Sequence, residues 1–343
     1  MNATTYAVDT AKNVLQLHWV DAQSGEICRR QLSRVRFVEF FARLKPARVA
    51  MEACGGSHHW ARVLGAMGHQ VELLPARQVR GFVRGNKDDA ADARAIWLAA
   101  QQGDIRRVAP KSLQQQAVLS LHSTRAHWVS VRTATVNALR GLLYEFGVVL
   151  PQGKALGLKT LVARRAQFDA LLPALMQQLV DQQLQALRQL DEHILQLEAQ
   201  LQQVQRADEA SQRLRAVPGL GLLGATALAA TLGDGHGWRN AREFACSLGL
   251  TPKHRGTGGK VTLGGINKRG SPYLRTLLVS GARSLANSPS APAWVLELMK
   301  RRPPNVAVVA LANKLARTAW ALIAHGRDFD KTWVSTPPLA AAG

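Results

Sequence analysis

Acidic residues are scarce in this chain of 343 residues: 23 Asp and Glu stand against 44 Lys and Arg, a formal net charge of +21. Such an imbalance calls for a polyanionic partner, and nucleic acid is the first candidate. Cysteine is scarce too. Cys28, Cys54 and Cys246 lie far apart, odd in number and without a CxxC pair, which argues against a disulfide framework and a zinc site. No apolar run reaches the ~20 residues of a membrane span, and the N-terminus has no basic stretch leading into an apolar one. A soluble cytoplasmic protein without a membrane partner is expected. Hydrophobic residues make up 47% of the chain, enough to bury real cores and to exclude a wholly disordered basic tail. At ~100–200 residues per domain, two or three domains fit.

What is present at the start reads as α+β. Apolar and β-branched runs at 6–9, 14–20 and 26–32, the last two separated by Ser24-Gly25, predict an antiparallel meander. A strand at 48–52 stops at Ala53-Cys54-Gly55-Gly56, and another follows at 70–74, with helical spacing at 37–44, 60–67 and 88–101. The whole predicts a mixed sheet with helices. Beyond Pro110 the chain turns helical. The stretch 112–146 carries Arg125, Arg132 and Arg140. In the Leu- and Gln-rich stretch 170–210, Leu187, Leu190, Ile194, Leu197, Leu201 and Val204 alternate spacings of three and four. That is a coiled-coil seam, compatible with an intramolecular helical hairpin or a dimer zipper. Helical runs at 222–232, 241–248, 273–287 and 306–325 then surround a Gly- and Lys-rich loop, 254–270. The expected division is an α+β domain with its following basic helix (1–148), a helical coiled-coil linker (149–210), a mainly α-helical C-terminal domain (211–330) and a disordered tail (331–343).

Where acids are few, each placement is informative. Asp9 ends the first predicted strand and Glu52 another, while Asp89 and Asp92 are spaced i, i+3 on one helix face. Asp88 and Asp92 are i, i+4 neighbours, so spacing alone leaves Asp88 and Asp89 as alternatives. Strand ends and a helix face can converge, and carboxylates gathered in a basic protein need a hard divalent cation. Two such ions about 3.5–4 Å apart would activate a nucleophile and stabilise the leaving oxygen of a phosphodiester.

Two features address phosphate. Pro218-Gly219-Leu220-Gly221 between helical runs is similar to a helix–hairpin–helix element, in which Gly219 and Gly221 let backbone N–H groups approach a phosphate without reading base sequence. The loop beyond it presents Lys253, His254, Arg255, Lys260, Lys268 and Arg269 among glycines, a salt-sensitive phosphate grip. Thr257 in its middle offers a hydroxyl that neighbouring cations can activate for attack on phosphorus. Ser271 is a second hydroxyl nearby.

In order, AVDTAKN, MEACGG, NKDDAADARA, VPGLG, SLGLTPKHRGTGGK and GGINKRGSPYLRTLL closely resemble the motifs of the DEDD transposases of the insertion-sequence 110 family, in the subgroup of 1111-type elements. The likeness spans about 6–325. It implies an N-terminal RNase H-like (RuvC-like) domain, a coiled-coil linker and a C-terminal transposase domain. It also implies a recombinase guided by an element-encoded bridge RNA that pairs with target and donor DNA, working as a dimer or tetramer with Mg²⁺. By position the family's acids fall on Asp9, Glu52, Asp89 and Asp92, as ligands of Mg²⁺ at the scissile phosphate. The family's serine nucleophile, completing a composite site with another subunit, falls on Thr257. Threonine keeps the hydroxyl, but its β-methyl restricts χ1 and crowds an in-line attack, so slower or impaired chemistry is expected. Two other classes fit the residues: a metal-dependent nuclease or junction resolvase without a covalent link, and a non-catalytic nucleic-acid-binding relative.

Overall fold

The computed structural model describes residues 4–84, 88–257 and 260–332, the side chains of Arg255, Thr257 and Val261 excepted. The tail from Trp333 onward, expected above to be disordered, lies outside the described residues. The chain divides into two compact units, Met1–Gln114 and Gln115–Gly343.

Short apolar and β-branched runs build the first unit. Strands β1 (Thr5–Thr10), β2 (Val14–Val20) and β3 (Ile27–Ser33) form the expected antiparallel meander. Helix α1 (Arg34–Ala42), β4 (Arg48–Glu52), α2 (Ser57–Ala66) and β5 (Gln70–Leu74) follow, and β4 and β5 extend the sheet in parallel with β1. The strand order is β3-β2-β1-β4-β5. A mixed sheet of this kind with helices on it fits an RNase H-like domain.

Each face buries a different residue class. On one, Leu15, Leu17, Val49, Met51 and Leu73 meet Phe37 and Phe41 of α1 and Trp60 and Leu64 of α2. On the other, Ala7, Ala50 and Leu74 meet Ala95, Ile96 and Ala99 of α4 (Asp89–Ala100), beyond the short α3 (Ala76–Val79). Because both sides of that contact are largely alanine, α4 comes close to the strands.

The second unit starts with the long α5 (Leu113–Glu145), then α6 (Lys154–Ala163), α7 (Arg165–Asp169), α8 (Ala174–Ala207) and α9 (Glu209–Arg215). α5 runs antiparallel to α8: Val118 shares a cluster with Leu201, Arg125 bridges Glu198 at 2.6 Å, Arg132 bridges Asp191 at 2.7 Å, and Leu139 and Leu143 share a cluster with Val180 and Leu187. Leu187, Leu190, Ile194 and Leu201 of the seam are therefore buried within the chain, as a helical hairpin requires.

Helices α10 (Leu222–Leu232), α11 (Ala241–Ser247), α12 (Pro272–Ala286), α13 (Ala293–Arg301) and α14 (Pro304–Ala324) complete the unit around one core. α14 is long and apolar enough to cross a membrane by length and composition, but Ala307, Leu311, Leu315 and Ala319 are buried in this core. The turn before α10 lies directly against α12: a Cβ on Gly281 would run into the carbonyl oxygen of Gly219, and Gly219 itself has φ +89°.

One expectation fails here. The Gly- and Lys-rich loop is a two-stranded antiparallel ribbon, β6 (Pro252–Thr257) and β7 (Lys260–Ile266). Glycines masked the β pattern in the sequence, because the ribbon's residues are mostly exposed and show no apolar alternation.

A buried polar network joins α5 to this helical core. His122 is 1% exposed, with Nδ1 2.9 Å from the Tyr273 hydroxyl and Nε2 3.0 Å from the Thr226 hydroxyl. Thr226 donates to the Leu222 carbonyl at 2.8 Å, so it must accept from His122, which places the imidazole proton on Nε2 and makes Nδ1 the acceptor. Burial, and then the nearby Arg125, push the His122 pKa down to about 4. As pH falls below the unfolded value near 6.5, the unfolded chain takes up a proton that the folded one refuses, so stability present at pH 7 is lost toward pH 4. His122 should account for a loss of ~2 kcal/mol between pH 7 and pH 5. Denaturant unfolding at both pH values checks this, with His122→Gln losing less.

Candidate active site

The acidic centre is assembled by three elements that meet above the sheet. β1 and β4 are parallel neighbours with Val8 opposite Met51, which brings the following residues, Asp9 and Glu52, side by side at the C-terminal strand ends. The chain leaves β4 through a turn held by Ser57, whose hydroxyl donates to the Cys54 carbonyl at 2.9 Å and accepts from the Cys54 N–H at 3.2 Å. Across this turn Thr10 Oγ1 and Cys54 Sγ are 3.2 Å apart, tying the two strand ends together. α4 packs along β1 and places Asp89 and Asp92 in its first turn.

Asp88 has another task. Its carboxylate accepts from the Ala91 N–H at 2.6 Å as the N-cap of α4. The cap occupies Asp88 and leaves Asp89 and Asp92 as the carboxylates of the helix start that act on Asp9.

The electrostatics show the convergence. Burial raises the Asp9 carboxyl to about 6, helped by the negative charges of Asp92, Asp89 and Glu52 in that order. Burial and Asp92 likewise raise Glu52. Carboxylates that repel one another in a partly buried cleft are the donor set a hard divalent cation fits, since the ion removes the repulsion that lifts them. Among the described residues no three Asp, Glu, His or Cys side chains stand close enough to form a ready coordination shell. The centre is thus a charge-matched cleft and not a preformed cage.

In the second unit the predicted phosphate-binding residues part company. Gly219 is spent on close packing against α12, whereas Gly221 is exposed, has open space around it and caps α10 without a side-chain acceptor. Lys253 and Lys260 are exposed on opposite strands of the ribbon, and Lys268 and Arg269 are exposed at its base. That base is clamped: Asn267 donates to the Thr251 carbonyl at 2.9 Å, and Arg275 donates to the carbonyls of Leu248 at 3.0 Å and Arg269 at 2.8 Å. Gly270, at φ +71°, faces the Ser247 carbonyl so closely that no Cβ fits. Thr257 ends β6 opposite Lys260, at the ribbon's tip; its side chain, like that of Arg255, lies outside the described residues. Ser271 accepts from the Leu274 N–H at 3.3 Å, capping α12.

Comparison with known proteins matches two regions, the first of which takes in the first unit and runs on through α5. A sequence model of DEDD transposases of the IS110 type matches residues 7–148, and one described as the transposase IS116/IS110/IS902 family matches residues 211–294. A family 20 transposase of Pseudomonas aeruginosa is 46% identical over 331 residues, covering 95% of this chain and 98% of its own. The transposase for insertion sequence element IS1328 of Yersinia enterocolitica is 37% identical over 335 residues, covering 96% and 99%. That for IS1111A of Coxiella burnetii is 37% identical over 327 residues, covering 94% and 90%. The first unit, together with α5, accordingly makes up a DEDD domain, a class that typically depends on a divalent metal. The chain belongs to the IS110 family of insertion-sequence transposases, which act on DNA.

Proposed function

We propose that this transposase cuts and exchanges DNA strands with a Mg²⁺-holding centre of Asp9, Glu52, Asp89 and Asp92 and with Thr257 as nucleophile. The observation that carries the reading is that Asp9 and Glu52 stand at adjacent parallel strand ends with Asp89 and Asp92 in the first turn of the helix packed on β1, close enough that their charges raise the Asp9 carboxyl. These side chains hold Mg²⁺ at the scissile phosphate. When bound, Mg²⁺ neutralises phosphate charge and favours attack on phosphorus. The Thr257 hydroxyl gives its proton to solvent as its oxygen forms the new ester bond to phosphorus, one ester bond of the phosphodiester breaks, and the leaving oxygen takes a proton from solvent. Lys253, Arg255 and Lys260 on the ribbon and Lys268 and Arg269 at its base, with Gly221 at the hairpin turn, hold phosphates around this step, while Gly219 keeps that turn packed on α12.

A structured RNA encoded by the element pairs with target and donor DNA and supplies sequence choice. A net charge of +21 supports binding of two polyanions at once. Strand exchange needs more than one nucleophile, so the chain works as a dimer or tetramer. The setting is the bacterial cytoplasm, at the nucleoid.

Trapping of protein–DNA adducts tests the nucleophile. Thr257→Ala is expected to abolish the adduct, while Thr257→Ser restores or raises it by removing the β-methyl. An undiminished adduct in Thr257→Ala sinks the assignment. Cleavage that persists without any adduct in the unsubstituted protein favours a metal-dependent nuclease instead.

A further inference from the structure

The strand register carries the sheet face of the acidic centre outward to the open edge. Asp9 pairs with Gln16, and Gln16 pairs with Gln31; one pleat back, Ala7 pairs with His18, and His18 with Arg29. Directly opposed residues share a face, and alternate residues along a strand do too. Asp9, Gln31 and Arg29 therefore stand on one face of the sheet. Ala7 identifies it as the face α4 covers, since it packs with Ala95 and Ile96. Two strand spacings of about 4.8 Å put Arg29 and Gln31 ~10 Å from the β1 row that bears Asp9.

α4 closes this row from the other side. His18, 2% exposed, meets the ring of Trp97 at 6.0 Å, and Arg94 lies one turn before Trp97 on the same helix. Arg29 from the strand and Arg94 from the helix thus flank the His18–Trp97 pair. Their charges both reach the imidazole, where they add to burial in lowering its pKa.

Arg29, Gln31 and Arg94 are all exposed. Among the described residues neither arginine has a carboxylate within 4.0 Å, although both stand close to a core histidine. Charges on an edge strand often serve only to prevent edge-to-edge pairing. Arg30 fits that bland role, lying on the opposite face over the Phe40 ring at 5.5 Å. Arg29 lies instead on the face that α4 covers, directly opposite His18, the histidine on which Arg94 of α4 also acts. Two guanidiniums that act on one core histidine, each without a carboxylate partner among the described residues, suit a phosphate.

We infer that Arg29, Gln31 and Arg94 form a shelf that grips the backbone of a DNA strand as it enters the acidic centre. The inference rests on the placement of that centre at Asp9. Along a stacked strand, with about 3.4 Å of axis per phosphate, ~10 Å corresponds to a phosphate about three steps from the scissile one. Gln31, adjacent in the row, supplies an amide donor for the same backbone.

Binding of the full chain to labelled random-sequence DNA oligonucleotides, single-stranded and duplex, tests this across a salt series, with RNA of equal length alongside. Arg29→Gln/Arg94→Gln should weaken DNA binding about tenfold near 0.1 M salt and lower the slope of log affinity against log salt by about 2, one per lost contact. Arg29→Lys/Arg94→Lys should keep the slope, which separates charge from folding, and matched melting temperatures confirm the fold. An unchanged affinity and slope in the glutamine pair overturns the shelf. A loss confined to RNA overturns the DNA assignment. Asp9→Asn, assayed alongside, should keep DNA binding and lose cleavage. If Asp9→Asn still cleaves, the acidic-centre reading fails, whatever the shelf variants do.

Discussion

Asp9→Asn should leave a protein that folds more tightly and cuts nothing. Asparagine keeps the shape but removes the charge on which Glu52, Asp89 and Asp92 converge. Loss of a carboxylate from a metal-holding centre is expected to lower strand cleavage by at least 10³-fold, on the scale of removing one preorganised electrostatic contribution to a transition state. Stability should move the other way. The Asp9 carboxyl sits at about 6 in the fold, above the ordinary value of 3.8, so its ionised form is disfavoured there. Above pH 6 the unsubstituted protein bears that cost in full, and below pH 4 it bears none. In metal-free buffer at pH 8, Asp9→Asn should therefore be more stable by ~1–2 kcal/mol, allowing for the solvent that reaches the cleft. The gain should vanish toward pH 4. Denaturant unfolding with EDTA and cleavage assays with Mg²⁺ measure the two halves. A variant that is both less stable and still active would contradict the convergence of the four acids.

The other large effect is mechanical. Gly281→Ala places a methyl group where the Gly219 carbonyl oxygen now lies, and both atoms belong to backbone. Neither can rotate aside, so the turn before α10 and helix α12 must separate. The expected cost is on the order of 3 kcal/mol or more, at the upper end of overpacking. It should appear as a drop in melting temperature and as weakened DNA binding, because Gly221 rides on the same turn. Unchanged stability would show that the two segments do not approach this closely.

The elements that the sequence revealed best are those whose pattern is local. β2, β4 and β5 match the runs of apolar residues within the same limits: β2 alternates, whereas β4 is a short apolar run buried on both faces, and both patterns are local. Asp88 was ambiguous by spacing, and only the hydrogen bond to Ala91 N–H shows its capping role. The ribbon was hidden because Gly256, Gly264 and Gly265 and the flanking cations give no apolar face. Arg29 and Arg94 were out of reach for a different reason. They are 65 positions apart, and their relation exists only through the register of β2 with β3 and the seat of α4 on the sheet. The Tyr273–His122–Thr226 chain is equally non-local, joining three helices through partners 151 and 104 residues apart.

The alanine layer beneath α4 has a consequence for how this enzyme can drift. Asp89 and Asp92 ride on a helix whose height above the strands is set by Ala7, Ala50, Ala95 and Ala99. None of these methyl groups touches a phosphate, yet each acts as a shim under half of the acidic centre. Enlarging one would lift the helix start and widen the gap to Asp9 and Glu52, with every acid still in place. Copies of the element that decay can thus lose catalysis through a single added carbon in the core, while the motif that marks the family stays intact.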